Sequence, residues 1–280
     1  MATRPIFISS NNFFYEEKMV EFEYHGGFAL KQKQKCIESL HFSSKKSFNE
    51  LQLLEISTSS TIPIGKKLSA FNLIYHNFDG SEFTIESAFQ SSKIFENGGP
   101  YIDLLKAPSV VAKKDNRIRE SGRVIGFEFL GKTYPTEPKT AFYDWIYINA
   151  LNQNNELHDE LLRYNAFTDI EFNPKKSINC QARSIAIFVS LKKQGLLDFA
   201  LSDFETFKTI VYKGVETENT FTQKSLFGWW INRCGFTKQK GSNLKVTTLT
   251  LLYTILIFQT LQWCRDSTAT IYEFSRRGCV

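Results

Sequence analysis

Three clusters of side chains in this 280-residue chain have the types and spacing to do chemistry. The first is Thr84-Ile85-Glu86-Ser87-Ala88-Phe89-Gln90-Ser91-Ser92-Lys93. Read as a helix, it puts Glu86, Gln90, Lys93 and Asn97 at i, i+4, i+7 and i+11 on one polar stripe, while Ile85, Ala88 and Phe89 turn inward. Thr84 is a good N-cap residue, which places Glu86 in the first turn, where the helix dipole favours a carboxylate. Such a carboxylate can accept sugar hydroxyls or a proton. The same spacing also describes an ordinary solvated face.

The second cluster runs from Thr168 to Ser184. Asp169 and Glu171, two apart, point the same way if the segment is extended. Lys175 and Lys176 follow, and then a helix start near Ser177 carrying Asn179, Gln181 and Arg183. Backbone N–H groups at such a start, with cations nearby, can hold phosphate. A plain loop leading into an amphipathic helix would look alike. The third cluster is Lys113, Lys114, Arg117, Arg119 and Arg123. It can meet phosphate, or it can be a solvated helix face partnered by Asp115 and Glu120. Lys139, at the start of a further helix, is a weak signal by itself.

These residues need elements to hold them. Residues 1–65 read as strands and turns, with alternation at 19–24 and 53–57 and a short helix at 32–40 between them. Residues 71–75, the Asp79-Gly80 turn and Glu82-Phe83 form a hairpin signal, after which the period turns helical at Thr84. That helix is expected to end at Asn97-Gly98-Gly99-Pro100. Residues 124–130 read as a strand, and helices are expected at 139–151, 155–164 and 177–195, with more helix over 196–240. No βαβ repeat appears, so the fold class is α+β, mainly helical with a small antiparallel sheet or hairpins. Trp145, Trp229 and Trp230 are expected in the core.

Composition narrows the classes. Aromatic residues make 15% and charged residues 22% of the chain, which excludes disorder, collagen and a coiled-coil rod. Residues 66–200 carry 17 basic and 16 acidic side chains, while residues 201–280 carry 10 and 6, so most of the +5 excess is C-terminal. A protein that coats duplex DNA needs a stronger basic stripe. The apolar stretch at 246–258 is shorter than the roughly 20 residues of a membrane helix, so no membrane partner is expected. The five cysteines form no CxxC pair and the four histidines are scattered, so neither a disulfide framework nor a metal site is expected. With no secretory n- and h-region at the N-terminus, the expected setting is reduced and cytoplasmic. No GxGxxG, P-loop, GxSxG or HExxH motif is present, and no cofactor is implied.

Taken in order, these segments resemble the NADAR superfamily. Leu68-Ser69-Ala70-Phe71, Gly80 and the segment from Thr84 to Lys93 match its LSNF-like stretch, glycine turn and T-x-E-H-x-x-Q-x-x-K-like helix. Asp169-Ile170-Glu171-Phe172-Asn173 and Asn179-Cys180-Gln181-Ala182-Arg183 resemble its later acidic-aromatic turn and Asn-containing helix. The stretch from Met1 to about Ala200 is closer still to the NADAR antitoxins associated with DarT-type ADP-ribosyltransferase toxins. The segments carrying that likeness are Met1–Phe7, Pro138–Trp145 and Phe167–Ser184. Ala70, Ser87 and Phe172-Asn173 depart from the general pattern, which has Asn, His and Trp-Gly there. These departures point away from the branch that cleaves riboflavin-pathway intermediates.

The resemblance implies an ADP-ribosylhydrolase that removes ADP-ribose from guanine bases of DNA, with ADP-ribose as product and a DarT-type toxin encoded nearby as functional partner. It implies Glu86, Lys93, Asp169 and Glu171 as catalytic residues, with Lys93 either holding the diphosphate or attacking an opened ribose. Ser69, Phe71, Gln90, Lys139, Asn179, Gln181 and Arg183 would bind ADP-ribose. The organisation implied is a strand-rich extension (1–65) packed on a catalytic core (66–200), helices completing the unit (201–240) and an atypical apolar tail (241–280). The alternatives are an N-glycosidase of a free nucleotide-like metabolite and a non-catalytic module binding ADP-ribose or the toxin.

Overall fold

The structure, a computed structural model, describes residues 1–212. In chain order the elements are β1 (Ala2–Ile8), β2 (Glu16–Phe22), α1 (Leu30–Ser47), β3 (Leu53–Glu55), α2 (Pro63–Lys67), β4 (Ile74–His76), β5 (Glu82–Thr84), α3 (Ile85–Ser91) and β6 (Lys93–Phe95). A 3-10 turn (Ile102–Lys106), α4 (Ser109–Lys114), α5 (Arg117–Glu120), β7 (Val124–Phe129), β8 (Lys132–Tyr134) and α6 (Ala141–Gln153) follow. A second 3-10 turn (Asn155–Leu157), α7 (His158–Leu161), β9 (Ala166–Thr168), α8 (Gln181–Lys193), α9 (Leu197–Ala200) and α10 (Phe204–Val211) complete it. The architecture is α+β. The expected helices beyond residue 212, the tail at 241–280, Trp229 and Trp230 lie outside the described residues. Among the described residues no helix is long and apolar enough to cross a membrane.

Three small sheets position the helices. One has the order β2-β1-β9-β3, with β3 and β9 parallel and the other pairs antiparallel. Its period-two alternation sorts side chains to two cores. Ile6, Leu53 and Ala166 face α1, where they join Val20, Phe22, Cys36 and Leu40. Their chain neighbours Phe7, Leu54 and Phe167 face the other way, into the main core with α6 and α8. Helix α1 buries Cys36, Ile37, Leu40 and Ser44, a narrow stripe at helical spacing. It extends past the expected 32–40 at both ends, from Leu30 to Ser47.

Helix α6 is buried on nearly every side, from Ala141 to Leu151, so it has no amphipathic stripe. The β4–β5 hairpin forms around the Asp79-Gly80 turn as expected, with Ile74 opposite Thr84. Helix α3 follows at once, and Thr84 caps it by accepting the Ser87 N–H at 3.3 Å. It stops at Ser91, well short of Asn97, because Lys93–Phe95 pairs with β7 as a strand. Asn97 therefore leaves the stripe, and its N–H donates to the Ser121 carbonyl at 3.0 Å. The expected helix at 155–164 is a 3-10 turn followed by the one-turn α7. The last long helix begins at Gln181 and not near Ser177, since a turn closed by the Asn173 carbonyl occupies residues 173–177.

Candidate functional site

A cavity of about 970 Å³ is walled by α3, the segment at 69–71, α4, β7, the loop at 136–140, α6 and the turn after β9. That volume suits a nucleotide-sized ligand. Ser69, Phe71, Glu86, Gln90, Lys93, Lys139, Asp169, Glu171, Asn179 and Gln181 all line it. Phe89, Phe127, Phe142, Tyr143 and Phe172 give it an aromatic wall.

Glu86 sits in the first turn of α3, and its N–H donates to the Ala70 carbonyl at 2.8 Å, which ties the helix start to the 69–71 segment. Every α3 residue is buried, so the solvated-face reading does not apply. Glu86 itself is 6% exposed. The stripe holds as a relay. Gln90 Nε2 donates to Glu86 Oε1 at 2.8 Å, and Lys93 Nζ donates to Gln90 Oε1 at 2.7 Å. Lys93 Nζ also lies over the Phe89 ring at 4.6 Å. Burial lowers the Lys93 ammonium to about 8, against the opposing pull of Glu86 and with a smaller push from Lys113.

Asp169 and Glu171 part company. β9 ends at Thr168, and the chain turns there, with the Phe172 N–H bonded to the Asp169 carbonyl at 3.1 Å. The extended reading that aimed both carboxylates one way is corrected by this turn. Asp169 is 8% exposed, and its Oδ1 accepts the Glu171 N–H at 3.0 Å. Burial, then the charge of the neighbouring Glu55, raises its carboxyl well above the usual range. Glu171 is instead paired with Lys33 at 2.6 Å and accepts the Ser59 hydroxyl at 3.2 Å.

Gln181 braces the cavity floor. Its Oε1 accepts the Ala70 N–H at 2.7 Å and its Nε2 donates to the Ile56 carbonyl at 2.5 Å. Asn179 contributes a buried Oδ1 without a hydrogen-bond partner among the described residues. Lys139 lies in the loop before α6, next to Thr140, whose φ of 71° is unusual for a β-branched residue. Thr140 Oγ1 is 3.3 Å from Asp144 Oδ2.

Arg183 is not brought to this cavity. Its Nη2 donates to Asp144 Oδ2 at 2.8 Å, both groups being largely buried, and with Tyr15 and Tyr212 it lines an adjoining pocket of about 360 Å³ that shares Lys139, Thr140 and Phe172 with the cavity. Arg183, expected among the ADP-ribose ligands, is thus held by Asp144 beside the cavity and not in its lining.

Three participants lay outside the sequence reading. Lys113, read there as part of a charge cluster, reaches Glu86 Oε1 at 3.8 Å and lies over Phe71 at 4.8 Å. Tyr143 is fully buried on α6, and burial, followed by the charges of Glu86 and Asp169, holds its phenol well above its usual range. It therefore stays a neutral hydroxyl in the cavity wall. Glu55, a lone acid in a short strand, binds the Thr168 hydroxyl and the Ile170 N–H on either side of Asp169. Only its alternation with Leu54 hinted that it points away from the main core.

A family model described as the DarT1-associated NADAR antitoxin matches residues 2–221. No curated protein matches the chain.

Proposed function

The chain belongs to the DarT1-associated NADAR antitoxin family, and on that footing we propose that it hydrolyses the bond between the ribose anomeric carbon and a guanine nitrogen of ADP-ribosylated DNA. The products are ADP-ribose and restored guanine, and the functional partner is a DarT-type toxin whose modification is undone. The observation that carries this reading is the presence of two buried carboxyls, Glu86 joined to the Gln90–Lys93 relay and Asp169 in the turn after β9, in the wall of one nucleotide-sized cavity. Two carboxyls in one site can divide the labour of acid–base chemistry.

The raised carboxyl of Asp169 keeps a proton to give to the guanine nitrogen as the glycosidic bond breaks. The positive charge that develops on the sugar lies near Glu86, which also takes a proton from the attacking water. The proton lost by water equals the one gained by the base. The aromatic wall suits the adenine ring and the guanine, and Lys139 and Lys176 at the lining suit the diphosphate.

A second route draws on the lowered Lys93 ammonium. At neutral pH roughly a tenth of such a group is free amine and can attack an opened ribose as an imine-forming nucleophile. Cyanoborohydride added during turnover separates the routes, because only the second leaves ADP-ribose reduced onto Lys93. The function itself is tested with a guanine-ADP-ribosylated oligonucleotide and with free ADP-ribosylguanosine. Release from both or from DNA alone supports the proposal, and release from the free nucleoside alone points to a metabolite N-glycosidase.

A further inference from the structure

Glu55 is 1% exposed, yet it carries no cation partner among the described residues. Its Oε1 accepts the Ser57 hydroxyl at 2.7 Å and the Ile170 N–H at 2.9 Å, and its Oε2 accepts the Thr168 hydroxyl at 2.6 Å. Thr168 and Ile170 are the two residues flanking Asp169. The parallel register that sets Glu55 against Thr168 fixes this clamp, and the Ile56 N–H bonds the Thr168 carbonyl at 2.8 Å beside it. A buried carboxylate held only by neutral donors is costly, and a structural clamp could have used an amide.

We propose that Glu55 is a positioning residue for Asp169: it holds the Thr168 hydroxyl and the Ile170 N–H on either side of the acid, and the second carboxyl it brings to this turn sets the charge against which Asp169 donates to the departing base. This rests on the hydrolase reading above. Two close carboxyls cannot both ionise readily, so one proton is retained between them. Glu55 is itself raised above the usual range, first by burial.

The other groups facing Asp169 supply no counter-charge. Glu171 adds a like charge from the same turn and has its own partner in Lys33 of α1. Tyr143 and Tyr147 of α6 and Cys180 before α8 are neutral, all held up by burial. His41 of α1 reaches Glu55 through Thr168, with Nε2 2.8 Å from Thr168 Oγ1, and burial lowers it to about 4, so it too is uncharged. Since the Thr168 hydroxyl gives its one proton to Glu55, His41 donates to Thr168 from Nε2.

The E55Q variant fits this network. Its amide oxygen can accept the Ser57 and Ile170 donors, and its NH2 can donate to Thr168, whose hydroxyl then turns to His41. The charge alone is removed. The kcat/KM profile of full-length wild type and E55Q on the modified oligonucleotide is measured from pH 5 to 9. The alkaline limb of E55Q should move down by about one unit or more, with activity changed less than about twofold at pH 6 and cut about fivefold or more at pH 8. A limb that stays in place, or a loss by one factor at every pH, overturns the proposal. If E55Q does not fold, carboxyl 13C titration of wild type and D169N replaces it. The Glu55 midpoint should fall when Asp169 becomes Asn, and an unchanged midpoint overturns the proposal. That titration does not need turnover, so an inactive wild type would sink the hydrolase reading while leaving the Glu55–Asp169 coupling judged separately.

Discussion

Replacing Asp169 by Asn should make the protein more stable and less active at once, and the gain should depend on pH. Asp169 is buried and its folded carboxyl is raised from 3.8 to about 8. A carboxyl raised on folding gives its full stability below the unfolded pKa and loses it as pH rises toward the folded one, because the unfolded chain ionises first. At pH 7 about three units of that span have been crossed, which corresponds to roughly 4 kcal/mol at about 1.4 kcal/mol per unit. The carboxyl borders the cavity, where hydration recovers part of this cost, so about 2 kcal/mol is the expected gain for the neutral isostere. The Asn oxygen can still accept the Glu171 N–H, so the hydrogen bond at 3.0 Å survives the change. For a protein of this size 2 kcal/mol corresponds to about 4–8 °C in Tm. Thermal scans at pH 7.5 and pH 5 are the assay, with a gain at pH 7.5 at least twice that at pH 5, while kcat/KM falls by ~10²-fold or more. A D169N protein that is less stable at both pH values, or whose gain is the same at both, refutes the reasoning.

Further outcomes follow from other contacts. R183M should cost about 3–5 kcal/mol in chemical denaturation, because it leaves Asp144 buried without its cation, while kcat/KM per folded molecule stays within about twofold. A large loss of turnover in a stable R183M would return Arg183 to the substrate. The K139A/K176A double variant should raise KM and flatten the salt dependence of log kcat/KM by about one unit of slope, as expected when one or two phosphate contacts are lost. T84A should lower stability by about 1–2 kcal/mol in thermal unfolding, through loss of the α3 cap and of the 2.7 Å bond to Ser109.

How much of this was legible in the sequence follows the range of the forces. Thr84, Glu86 and Gln90 act within one or two helical turns, and the cap and the i, i+4 contact were readable from spacing. Their burial was not, since it comes from packing against α4, the 3-10 turn and α6. Ser87, for example, donates to the Ala107 carbonyl at 2.8 Å, 20 residues away. Lys93 looked helical by period but was taken by β7, a partner some 34 residues on in sequence, as the Lys93–Phe127 pairing shows. β9 carries a weak signal because it has three residues, too few for a period to register. The turn after Thr168 depends on Glu55, more than 110 residues earlier, binding the Ile170 N–H. The place of Arg183 beside the cavity was illegible for the same reason. Asp144, which neutralises it, lies 39 residues away and looks like any first-turn acid of a helix.

The most direct test is mass-spectrometric assay of a guanine-ADP-ribosylated DNA oligonucleotide with folded wild type, E86Q and D169N side by side. Wild type should release ADP-ribose and return unmodified guanine, and each variant should be slower by ~10²-fold or more. A folded wild type that releases nothing, or an E86Q protein as fast as wild type, would contradict the account.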